Sequence, residues 1–186
     1  MSVNIPTCPT DCTSQVPIVS FNDCAPETHW GQINKIYLTN IGQSFDDLGQ
    51  DYTTSPAWLS RINNSGVNVD AIRELTVIGN LPAAETQEKE ISNRRKIYSP
   101  KKYSLAFKID ETNDINYEWL RGLGCNGQYL MWFANDTHIY GGDTGIEVSI
   151  DAGLIIPENY QDLDEIQGTF KWESQFYPER TINPLI

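Results

Sequence analysis

The stretch from Tyr103 to Ala134 constrains the fold most, because it reads as strand, short helix and strand with almost no residues to spare between them. In Tyr103-Ser104-Leu105-Ala106-Phe107-Lys108-Ile109 the large apolar side chains take every odd position, the period of a strand with one buried face. Asp110 to Asp114 supplies N-cap types and acidic side chains suited to a helix N-terminus. Ile115, Trp119 and Leu123 then recur every four residues as one apolar stripe. Gly122 and Gly124 end that helix, and Gln128-Tyr129-Leu130-Met131-Trp132-Phe133, apolar on both faces, predicts a central strand.

Around this unit the pattern is mostly strand. Residues 1–32 carry Pro6, Pro9, Pro17 and Pro26, a spacing that no helix survives, and predict an extended arm with at most one short strand, at Val16–Phe21. Ile33 to Thr39 and Arg73 to Ile78 read as strands. Ser55-Pro56 opens a short helix with Trp58, Leu59 and Ile62 on one side. Residues 83–102 are polar apart from Ile91, Ile97 and Tyr98, and predict a projecting hairpin that turns near Ser92-Asn93. Further on, His138 to Asp143 reads as a turn, Gly145 to Asp151 as a clean alternation, and Leu154-Ile155-Ile156-Pro157 as a separate short strand. Thr169 to Glu173 alternates again before a Pro-containing tail. The sum is a mainly β fold: an antiparallel sandwich or barrel (33–176) with one flanking short helix (112–122), the hairpin and extended termini (1–32 and 177–186).

A chain of 186 residues is large enough to bury one core. It has no apolar run of eighteen residues and no basic-then-apolar start, so neither a membrane span nor that export signal is expected. With 25 acidic and 13 basic residues the net charge is −12, which argues against a conventional nucleic-acid-binding surface. The charge is uneven. Lys89, Arg94, Arg95, Lys96, Lys101 and Lys102 face only Glu90 between positions 89 and 102, so a local charge of +5 sits on a body of −17.

Cys8, Cys12, Cys24 and His29 have the types of a tetrahedral zinc shell, although Cys24 and His29 are loosely spaced. The alternative is free or partly paired thiols, with Cys125 a buried small hydrophobe. Nucleophilic catalysis has little to work with, since the only histidines are His29 and His138 and no Gly-x-Ser-x-Gly elbow exists. Asp162, Asp164 and Glu165 lack the glycine and periodicity of a calcium loop and read as a solvated acidic loop. Gly141 to Gly145 reads as a tight hairpin rather than a phosphate loop, and Asn63-Asn64-Ser65 and Asn135-Asp136-Thr137 match glycosylation acceptors. Five tryptophans could stack on sugars in a carbohydrate-binding β-sandwich module, yet Trp119 and Trp172 lie on predicted core faces.

What remains points to contacts between copies. An arm, a long hairpin and a tail cost a solitary domain chain entropy, and they order more cheaply on a neighbour. A basic hairpin on an acidic body favours head-to-tail association, the kind that closes into rings or runs on as tubes. The alternative is a flexible loop whose charges face solvent. The series Phe21-Asn22-Asp23-Cys24-Ala25-Pro26-Glu27, Glu90-Ile91-Ser92-Asn93-Arg94-Arg95-Lys96, Tyr140-Gly141-Gly142-Asp143-Thr144-Gly145-Ile146 and Phe170-Lys171-Trp172 resembles virion structural proteins of tailed phages that infect Bacteroidetes-type bacteria. Size and element order also resemble phage tail-tube proteins. That resemblance implies a non-enzymatic β-sandwich subunit of the virion that stacks as rings around a DNA channel, assembled in the host cytoplasm with other virion proteins and without a cofactor. It also implies that residues 83–102 reach an adjacent ring, that 110–123 form the flanking helix, and that an acidic lumen lets DNA pass without adhering. The cysteine-bearing arm departs from the tube pattern and leaves open a capsid decoration or head–tail connector protein.

Overall fold

The computed structural model describes residues 31–62, 70–86, 88–92, 95–98, 100–123, 128–159 and 162–186. In chain order the elements are β1 (Ile33–Thr39), α1 (Ser55–Ile62), β2 (Arg73–Asn80), β3 (Glu88–Ser92), β4 (Arg95–Tyr98), β5 (Lys101–Ile109), α2 (Asp114–Leu123), β6 (Gln128–Ala134), β7 (His138–Tyr140), β8 (Ile146–Ile155), β9 (Glu165–Ser174) and β10 (Arg180–Ile182). Six of them, in the order β1-β2-β5-β9-β8-β6, form an antiparallel sheet, and pairing of β1 with β6 closes it into a barrel. Closure removes the exposed strand edges an open sheet would leave. The expected mainly β class, with a barrel as one of its two forms, is what the chain adopts.

Alternation decides which side chains fill the barrel. Tyr103, Leu105, Phe107 and Ile109 of β5 point inward, as their odd spacing predicts, and meet Phe170 and Trp172 of β9, Met131 and Phe133 of β6, and Ile36 and Leu38 of β1. Aromatic rings line much of this interior. Phe107 and Phe170 lie with centroids 4.7 Å apart, and Tyr103 stacks on Trp172 at 5.0 Å. Gly168, opposite Phe107 in the register, leaves the space that ring needs, because a Cβ there would come within 2.6 Å of Phe107 Cζ.

The two-faced β6 has a separate explanation on its other side. Leu130, Trp132 and Ala134 point out of the barrel into a second core built with Tyr37, Phe45, Trp58, Ile72 and Ile139. The segment between β1 and α1 folds back over the outer face of β1 and β6 to cover it. Trp132 is its centre: its ring lies 5.6 Å from Trp58 and 5.3 Å from Phe45, and its Nε1 donates to Gly142 O at 2.7 Å. Gly141 and Gly145 sit so close to the indole that added Cβ atoms would fall 2.5 and 2.8 Å from it, and both have positive φ. The glycine-rich turn is therefore shaped around a tryptophan.

Several expectations need correction. In α1 the inward positions are Trp58, Arg61 and, partly, Ile62, while Leu59 is exposed. Arg61 can be buried because it donates to the carbonyls of Asp70 (2.9 Å) and Gln43 and lies 4.7 Å over the Phe45 ring. In α2, Asn113 caps the helix by accepting the Asn116 N–H at 2.9 Å, but Ile115 is 79% exposed. The stripe that meets the barrel is Trp119 and Leu120, with Trp119 edge-on to Phe107 at one end of the interior. The supposed turn at 138–143 begins as strand β7. The two stretches expected as separate strands, 145–151 and 154–157, contribute all but their outer ends (Gly145, Ile156 and Pro157) to one strand, β8, which runs through Gly153 because its partner β9 continues alongside. The C-terminal segment, expected as an extended tail, is held by its own chain, since β10 pairs with β7.

Candidate functional site

The basic hairpin is the first candidate. β3 and β4 pair only with each other among the described residues, with Lys89 opposite Ile97 and Glu90 opposite Lys96. Lys89, Arg95 and Lys96 fall on these strands, and Arg94 lies outside the described residues. Lys101 and Lys102 belong to the barrel instead, as the first two residues of β5. Lys102 exchanges both backbone hydrogen bonds with Glu85 (2.9 and 3.0 Å), and that bridge marks the hairpin's base. Its ammonium lies 3.6 Å from Glu173, and the Lys101 ammonium lies 4.9 Å over the Tyr177 ring. Both cations thus have partners within the chain, on exposed surface where such pairs contribute little stability.

The barrel wall outside the hairpin is charge-paired across strands: Lys35 with Glu74, Lys108 with Glu165 (3.2 Å) and Lys171 with Asp151 (3.8 Å). Carboxylates without an ion-pair partner among the described residues lie elsewhere, including Asp46, Asp47 and Asp51 in the loop before α1 and Glu147 on β8. Asp110, Glu111, Asp114, Glu158, Asp162 and Asp164 are all exposed at the end of β5 and β8 that carries α2, and none has an ion-pair partner among the described residues. Asp162, Asp164 and Glu165 therefore sit in an exposed loop and strand start, with Glu165 taken up by Lys108 and Gln167.

Other candidates resolve into structural roles or lie beyond description. Cys8, Cys12, Cys24, His29, Trp30, Cys125 and the acceptor Asn63-Asn64-Ser65 lie outside the described residues. Among those described, no cluster of three histidine, cysteine or carboxylate side chains is placed to hold a metal. Asn135 is 8% exposed and its Oδ1 accepts the N–H groups of Thr137 (3.0 Å) and His138 (2.7 Å), so this acceptor motif is a buried turn. Trp58, Trp132 and Trp172 are buried and Trp119 packs against the barrel core, which withdraws four of the five tryptophans from a sugar-stacking role.

The shifted titrating groups have local causes. The Ser44 hydroxyl (2.6 Å) and N–H (3.0 Å) hold Asp47 below the usual carboxylate range, Thr53 does the same for Asp51, and Gln167 with Lys108 for Glu165. Burial, with Glu74 nearby, pushes the Tyr37 phenol up, and burial pulls the Arg61 guanidinium down. Grooves of about 420, 260 and 630 Å³ lie at the hairpin base, beside Phe133 and Tyr177, and between Tyr37, Leu59 and Leu185; no histidine or cysteine lines any of them. Sequence reasoning missed the α2 end as a surface. Its signal was present in the acidic residues flanking Ile156 and Leu163.

Comparison of the chain with protein-family models, curated proteins and solved structures finds no match.

Proposed function

We propose that this chain is a non-enzymatic, self-assembling structural subunit of a tailed-phage virion, and specifically a tail-tube subunit that stacks as rings around a DNA channel. The observation that carries the reading is the division of charge and structure between barrel and hairpin. The barrel is closed, three cross-strand ion pairs lie on its wall, and its C-terminal strand is satisfied internally, so the subunit has a finished core. Beyond that core the chain adds a two-stranded hairpin whose residues 88–98 hold four cations (Lys89, Arg94, Arg95, Lys96) against Glu88 and Glu90, a net +2, and which pairs with nothing else among the described residues. A finished core gains nothing from such an insertion, whereas an acidic neighbour does. The acidic surplus suits a lumen that passes DNA by like-charge repulsion.

The test is to replace residues 88–98 by a short Gly-Ser linker. The cut stops before Lys101 because that residue starts a barrel strand, and it leaves the Glu85–Lys102 bridge in place. The expected product is a folded monomer that does not assemble at concentrations where the unaltered chain does. Assembly of the shortened chain into the same particles would refute the hairpin's role.

A further inference from the structure

We propose that the α2 end of the barrel is the surface on which the β3–β4 hairpin of a second copy docks. The inference rests on the assembly reading above and adds to it the acceptor.

Topology places donor and acceptor apart. β5 begins at Lys101, beside the hairpin base, and ends at Ile109, five residues before α2. Its nine residues span about 27 Å at strand rise. The end of β8 and the start of β9 lie at that same far end, because Ile109 pairs with Ile166 and Leu154 pairs with Ile166 on its other side. One subunit therefore presents hairpin and acceptor at opposite ends of a strand. Contacts between unlike surfaces of this kind repeat head to tail, whereas a two-fold pair would need one surface to match itself.

Two properties of the far end fit this occupant. The first is apolar: Ile115 (79% exposed), Ile156 (70%) and Leu163 (81%), with Tyr117 and Ile155, stand in solvent at this end of the barrel. The hairpin's own apolar side chains, Ile91, Ile97 and Tyr98, are of a size to cover part of them. The second is electrostatic. Residues 110–123 and 155–165 hold eight carboxylates and a single cation, Arg121, which is 2.7 Å from Glu118. A hairpin with four cations and a net charge of +2 is the complementary partner the sequence supplies.

The experiment uses the full chain in two charge-reversed forms. The hairpin variant carries Arg95→Glu and Lys96→Glu, and the acceptor variant carries Glu111→Lys, Asp162→Lys and Asp164→Lys. The three acceptor positions are exposed, and circular dichroism checks the fold of both variants. Sedimentation velocity at low ionic strength reads the concentration at half-assembly. Each variant alone should need at least about tenfold more protein than the unaltered chain. An equimolar mixture should assemble at close to the original concentration, because alternating copies restore opposite charges at both kinds of junction. If the hairpin variant assembles normally, or the unaltered chain never assembles, the assembly reading fails. If only the acceptor variant assembles normally, or the mixture of folded variants stays dispersed, that reading stands and the α2 end is not the acceptor.

Discussion

Trp132→Phe and Trp172→Phe make the same chemical change at two buried sites with opposite hydrogen-bonding circumstances. Trp132 is fully buried and its Nε1 donates to Gly142 O at 2.7 Å, while Gly142 is itself buried. Removing that donor strands a buried carbonyl, which costs about 1–3 kcal/mol, and the smaller ring costs roughly 1 kcal/mol more in lost packing. The total of about 2–4 kcal/mol corresponds to a fall in Tm of roughly 5–15 °C for a domain of this size. Trp172 is 6% exposed and stacks on Tyr103, but its Nε1 has no acceptor among the described residues. Phenylalanine there keeps the stacking and removes an unsatisfied donor, so the two effects offset and the loss should stay within about 1 kcal/mol. Thermal unfolding followed by circular dichroism measures both. A Trp172→Phe loss equal to or larger than that of Trp132→Phe would refute the assignment of Trp132 as the pin of the glycine turn.

Gly168→Val should cost at least about 1–3 kcal/mol, read as a lower denaturant midpoint, because the new side chain meets Phe107 and Ala152 inside the barrel; an unchanged midpoint would contradict the packing described for that ring. Asp47, Asp51 and Glu165 are held below their ordinary values, so what they contribute is fully present above about pH 4–5 and is lost as the pH falls through their lowered values. Replacing Asp47 and Glu165 by their amides should therefore flatten the acid limb of the stability curve. A limb of unchanged slope would count against those hydrogen bonds.

The parts of the fold legible in the sequence are those where one local pattern maps onto one burial. β5 alternates because it faces the barrel interior on one side and solvent on the other, and β6 is apolar throughout because it divides two cores. Barrel closure was not legible, since the β1–β6 pairing joins residues almost a hundred positions apart and leaves no local mark. β7 and β10 were missed because three-residue strands have too little periodicity to register, and β8 read as two strands because nothing local reveals that β9 runs beside it through Gly153. Arg61 was unreadable as a core residue, its burial depending on carbonyls from two distant segments. On the functional side, the charge division was visible in the sequence. That Lys101 and Lys102 start a barrel strand, and that Ile115, Ile156 and Leu163 lie exposed at its opposite end, required the topology.

Negative-stain microscopy at low ionic strength, comparing the unaltered chain with the chain whose residues 88–98 are replaced, tests the central claim most directly. The account predicts stacked, one-dimensional particles for the first and isolated subunits for the second. Isolated subunits of the unaltered chain at every concentration, or stacks formed equally by both, would contradict it.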